Sequence, residues 1–313
     1  MIQKTNLEAV LLRIANTLIL NTGKVDSIGL LDGKMGIALF LYHYSQINGN
    51  KVYRNFADEL LGEILRWITN KNPTSVSFLY GLTGIAWGIH HLIVNKFVDA
   101  DEDALEEVDT LLKNISHSDI LTDIENECPL YSKGIYFMAK NDKEVINNVL
   151  QVLSQSLSQN IKVLPLSYFN SILYMILHGN HPLENLTDLL KILYTSMMDS
   201  IKNKRYTFPD VILLTHIIER LKEIQDVTVD CEKWETLLKI LDYDDLTGIF
   251  NTGIYDLIFT KMKNNNSFIL SKLETMDIEN QIDSMIKDVY RNLNLYNGLA
   301  GAGLTVKDFL LQI

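Results

Sequence analysis

Residues 81–92 read GLTGIAWGIHHL, and residues 295–306 read LYNGLAGAGLTV. Each sets two glycines three positions apart and follows them with an apolar stretch of helical length. Residues 33–46, GKMGIALFLYHYSQ, repeat the pattern. Four weaker copies share its outline: YSKG before Ile135, YFNS before Ile172, FPDV before Ile212 and FNTG before Ile254. The seven blocks recur about every 44 residues, the period of a helical-hairpin repeat.

Each block opens a stretch that is apolar nearly all round, as a helix buried on both sides must be. The first residue after the block is Ile six times and Ala302 once. Four positions later stand Leu41, Ile89, Ala139, Ile176, His216, Ile258 and Val306, one constant face at helical spacing. Between the blocks lie amphipathic stretches at 6–21, 51–70, 101–114, 143–159, 184–202, 229–241 and 276–292, charged on one face as at Asp58, Glu59, Glu63 and Arg66. The order is therefore outer helix, inner helix, seven times. The last repeat ends in the apolar FLLQI, where an open solenoid would carry a polar cap. The expected fold is all-α, an α/α toroid: a closed ring of seven helix pairs in one domain over 1–313, with residues 298–311 between inner helices 33–46 and 250–261.

Composition narrows the function classes. Hydrophobic residues make up 47% of the 313, ample for a large core. The net charge of −11, with no basic stripe, argues against nucleic acid as a partner. Cys128 and Cys231 form no Cys-x-x-Cys motif and read as buried free thiols of a reducing compartment, so a cytoplasmic location is expected. The N-terminal stretch is interrupted by Glu8 and Arg13 and reads as an amphipathic helix. No apolar run reaches membrane-spanning length.

The repeated glycines admit two readings. They let backbones approach where the inner helices begin, or they bare helix N-termini toward an anionic ligand. GLTGIAWGIHHL, the closing NGLAGAGL and the seven blocks together resemble the lanthionine synthetase C-like family. The resemblance runs along the whole chain and is sharp in repeats one, two and seven. It implies an α/α toroid that adds a peptide cysteine thiol to a dehydrated serine or threonine. The family's catalysts hold a zinc ion with two cysteines and a histidine from the fifth and sixth blocks. Here those blocks read Phe208-Pro209-Asp210-Val211 and Phe250-Asn251-Thr252-Gly253, without Cys or His. The expectation is a zinc-free member with no cofactor, binding a peptide or small molecule in its central cavity beside a peptide-modifying partner enzyme. Any remaining enzymatic activity stays open.

Candidate residues ring the expected mouth. Aromatics precede or enter the blocks: Tyr80, Tyr131, Tyr168, Tyr206, Phe208, Phe250 and Tyr296. They either pack around the helix starts or form a peptide-binding rim. Lys34 and Lys133 offer an anion-binding edge, and Asp32 and Asp210 add carboxylates. DYDDLTG at 242–248 matches the Asp-x-Asp-Asp acid of α/α-barrel terpenoid cyclases. Asp244 and Asp245 there read either as caps of the sixth inner helix or as acids of a terpenoid- or glycan-directed enzyme. Seven residues past each block end lies a polar layer containing His43, His91, His178, Asn141, Thr260 and Asp308. Its groups either satisfy carbonyls at the helix ends or form a metal site.

Overall fold

The computed structural model describes residues 4–71, 75–101, 103–114, 132–159, 163–179, 186–222, 231–243, 246–259, 266–289 and 291–312. Among these, every regular element is helical. The α-helices are α1 (Lys4–Asn21), α2 (Lys34–Asn48), α3 (Lys51–Lys71), α4 (Leu82–Val94), α5 (Glu106–Lys113), α6 (Ser132–Ala139), α7 (Lys143–Gln159) and α8 (Leu166–Gly179). They continue with α9 (Leu186–Lys202), α10 (Phe208–Leu221), α11 (Cys231–Lys239), α12 (Thr252–Ile258), α13 (Asn266–Thr275), α14 (Ile278–Lys287) and α15 (Leu299–Leu310).

The fold class is that of an α/α toroid, built of amphipathic and apolar helices in alternation. The apolar members are α2, α4, α6, α8, α10, α12 and α15, each opening on one of the seven blocks. In α15 every residue from Leu299 to Lys307 is buried, which explains why its sequence shows no polar face. Among the described residues one helix breaks the alternation. α13 stands between the sixth inner helix and the seventh outer helix, inside a repeat whose length gave no sign of it.

The contacts divide the chain into two compact units, Met1–Val108 with Gly248–Ile313, and Asp109–Thr247. In the first unit the inner helices neighbour one another in the order α4, α2, α15, α12, and outer helix α1 packs on both α15 and α14. The last inner helix thus lies between the first and the sixth, the neighbours expected of a closed ring. In the second unit α6, α8 and α10 are successive neighbours, backed by α7, α9 and α11.

Candidate functional site

The expected site lies where the inner helices begin, and the block glycines shape that end. In blocks one, two and seven the chain makes the same tight loop. The first helical N–H donates to the carbonyl seven residues earlier: Lys34 N to Ser27 O at 3.0 Å, Leu82 N to Ser75 O at 2.9 Å, Leu299 N to Asn292 O at 2.6 Å. The second glycine of each block then sits on the carbonyl six residues back. A Cβ at Gly36, Gly84 or Gly301 would collide with Leu30 O, Phe78 O or Leu295 O. The glycine pair is thus required by loop closure beneath the helix, and these first N–H groups already have acceptors.

The loops are also stitched to each other. Leu31 N donates to Leu79 O at 2.9 Å, and Leu295 N and Tyr296 N donate to Leu31 O at 3.1 and 2.8 Å. Asn297 N donates to Asn251 Oδ1 at 2.8 Å, and Asn251 Nδ2 returns a bond to Asn297 Oδ1 at 2.6 Å. Four consecutive block loops of the first unit are therefore fixed relative to one another.

Within that unit Asp32, Tyr80 and Tyr296 come together. Asp32 Oδ1 accepts from Ser27 Oγ at 2.9 Å, and Ser27 Oγ also takes the Gly29 N–H. Partial burial pushes the Asp32 carboxyl up, and the Ser27 bond pulls it back only in part. A Cβ on Gly29 would strike both Asp32 Oδ1 and the Tyr80 backbone, which measures how closely the two loops approach. Tyr80 is 43% exposed and Tyr296 half-buried. Lys34 turns away to the outer helix and pairs with Glu63 at 2.5 Å.

In the second unit the candidates are engaged in the fold. Lys133 is buried, donates to the Lys113 carbonyl at 3.1 Å, and burial draws its ammonium pKa down. Tyr168 is 2% exposed, with its ring edge-on to Phe169. Asp210, also 2% exposed, accepts at Oδ2 from the Thr207 N–H and hydroxyl, both at 2.8 Å. Phe208 is fully buried, and Tyr206 accepts the Asp242 N–H at 3.0 Å. Asp242 pairs with Lys204. Asp244, Asp245, Tyr131, Thr260 and Cys128 lie outside the described residues, as do the side chains of His178 and Cys231.

The positions from which the family draws zinc ligands do not fit that ion. In the fifth block Asp210 is the one ligand-type side chain, and its Oδ2 is committed to the helix start. In the sixth, Thr252 Oγ1 donates to Ile249 O at 2.8 Å. Thr305 Oγ1 accepts the Gly253 N–H at 3.0 Å and donates to Phe250 O at 2.8 Å. Amide and hydroxyl groups bonded in this way are poor zinc ligands. Among the described residues no three His, Cys, Asp or Glu side chains gather as the family's three-ligand zinc site would require. The Asn251–Asn297 pair and the Thr305 bonds were not foreseen from sequence, because each joins residues of different repeats.

The polar layer resolves into distinct roles. Asn141 adopts a left-handed conformation, φ 57°, and its N–H closes the end of α6 on Met138 O. His43 and His91 instead face each other, Nε2 to Nε2 at 3.1 Å. Trp87 stacks on His91 at 5.2 Å, and Phe97 meets His43 edge-on at 4.8 Å. Burial, followed by the nearby Lys307 charge, holds His43 well below the ordinary imidazole range and lowers His91 to about 4. Both rings are therefore neutral near pH 7.

A family model for lanthionine synthetase C-like proteins matches residues 24–207, more than half of the chain. No curated protein matches it. No helix among the described residues is long and apolar enough to cross a membrane. The matched span contains the two sharpest N-terminal glycine blocks and runs on through α5 to α9, and the chain belongs to the lanthionine synthetase C-like family.

Proposed function

We propose that this chain is a zinc-free, peptide-binding member of its family, serving peptide natural-product maturation by holding a peptide for a partner enzyme. The observation that carries the reading is the chemistry of the fifth and sixth blocks. Asp210, Asn251 and Thr252 stand there as hydrogen-bonded framework, and no thiolate or imidazole is present to hold zinc. Without a metal, a peptide thiol near its ordinary pKa of about 8.5 is only a few per cent thiolate at neutral pH. Asp32, Tyr80 and Tyr296 supply the contact edge on the first unit: a carboxylate for a peptide amine or amide, and two rings with polar tips. Lys34 is held by Glu63 on the outer helix, and within the second unit Lys133, Tyr168 and Asp210 serve as framework.

The test uses untagged protein, zinc and a peptide carrying one cysteine and one dehydrated serine. The expected result is reversible binding, weakened by Tyr80→Ala by more than about 1 kcal/mol, with no ring formed. Thioether formation at a rate above the peptide alone would overturn the reading.

A further inference from the structure

Two helical turns beyond the blocks, about 10 Å along the inner helices, the first unit contains a cavity of about 560 Å³. Its lining brings together His43 of α2, His91 of α4, Asp256 of α12, and Lys307 and Asp308 of α15. Nothing in the peptide-holding role uses it. We propose that this cavity binds one borderline divalent transition-metal ion, Cu²⁺ or Ni²⁺, through the Nε2 atoms of His43 and His91.

The geometry is that of a chelating pair. An ion placed about 2.05 Å from each nitrogen, with the nitrogens 3.1 Å apart, subtends an angle of roughly 98°. That value lies between square-planar and tetrahedral preference, so the rings need move little. They are also held in place, His91 by the stacked Trp87 and His43 by the edge of Phe97. Imidazole nitrogen suits these ions and not Mg²⁺ or Ca²⁺, which require oxygen. With two protein ligands, the remaining coordination positions fall to water or a small ligand in the cavity.

Charge permits the site. Two carboxylates, Asp256 and Asp308, face one ammonium, Lys307, and Lys307 is paired with Asp308 at 2.7 Å. The ion needs both rings as Nδ1–H tautomers. The one proton now between the rings moves to the far nitrogen of its own ring, and none is released. Asn95 Nδ2 lies 3.4 Å from His91 Nδ1 and donates to the His91 carbonyl at 2.8 Å, so that shift is made against a weak contact.

The experiment is a metal titration of the untagged full-length chain with Cu²⁺ and Ni²⁺, with Mg²⁺ and Ca²⁺ as controls. One ion should bind per chain, Cu²⁺ tightest, and Cu²⁺ resonance spectra should show two coupled imidazole nitrogens. His43→Gln and His91→Gln should each weaken binding at least about a hundredfold, and His90→Gln should not. Lys307→Met, which removes the opposing charge, should tighten it and keeps the proposal testable where a histidine variant fails to fold. No binding, or affinity unchanged in both His43→Gln and His91→Gln, would overturn the proposal, as would weaker binding in Lys307→Met. Ring formation is not a readout here, so failure leaves the peptide-holding role untouched.

Discussion

Replacing Gly253 by alanine tests the contact between the sixth and last inner helices. The added Cβ would stand 2.5 Å from Thr305 N and 2.7 Å from both Leu304 C and Cβ. Ordinary contacts of this kind lie at about 3.5–4.0 Å, so α12 and α15 must part by roughly 1 Å. Two of the three atoms are backbone and cannot turn aside. Overpacking of this kind costs about 1–3 kcal/mol. Parting the helices also stretches the buried bond from Gly253 N to Thr305 Oγ1, about 1 kcal/mol more. Against this, alanine is worth up to about 1 kcal/mol over glycine within a helix. The net expectation is a loss of about 1–3 kcal/mol, read as a lower melting temperature by far-ultraviolet circular dichroism. Gly62→Ala is the internal control. Its Cβ would meet only Arg66 Nη1, at 3.4 Å, so the same exchange should stabilise by up to about 1 kcal/mol. A Gly253→Ala protein as stable as the wild type would refute the close-contact argument.

Thr305→Val keeps the shape of the side chain and removes the hydroxyl shared by Gly253 N and Phe250 O, so chemical denaturation should show a loss of about 1–3 kcal/mol. Asp210→Ala frees the Thr207 N–H at the start of α10 and should cost about 1–2 kcal/mol in the same assay. At Asp142, burial raises the carboxyl pKa, but bonds from Lys113 Nζ and the Val145 N–H outweigh it and the net shift is downward. Its contribution is therefore present above the unfolded value, roughly pH 4, and lost as pH falls through the folded one. The stability gap between wild type and Asp142→Asn should be open at neutral pH and close in acid.

The repeat was legible because period, glycine spacing and the Ile register are local properties of sequence. GxxG in blocks one, two and seven states a loop geometry outright, since only glycine fits over the carbonyls of Leu30, Phe78 and Leu295. α13 was not legible, because a short helix inside one long repeat leaves no mark on a period averaged over seven. The site was legible only as a set of positions. Asp32 and Lys34 are two residues apart and equally polar. One turns to Ser27 and the loop, the other to Glu63 on the outer helix, and that choice depends on the partner each loop offers. The histidine layer shows the same limit. The shared register of His43 and His91 was visible, whereas their meeting at Nε2 depends on α2 and α4 being neighbours.

The last helix packs on the first two, and this orders events during synthesis. Roughly 250 residues separate Asn48 from Leu299, so at about 5–20 residues per second the ribosome takes some ten to fifty seconds to supply the partner of α1 and α2. Until then the apolar face that α15 covers, including the Phe40 ring against which Gly303 lies, has no native neighbour. Helical hairpins along the chain can form early because their contacts are local, but the unit that contains α1, α2 and α15 cannot complete before residue 310 has emerged. A nascent chain stalled short of α15 should therefore present that face to chaperones, and stop codons within the last repeat should act as folding lesions rather than small trims.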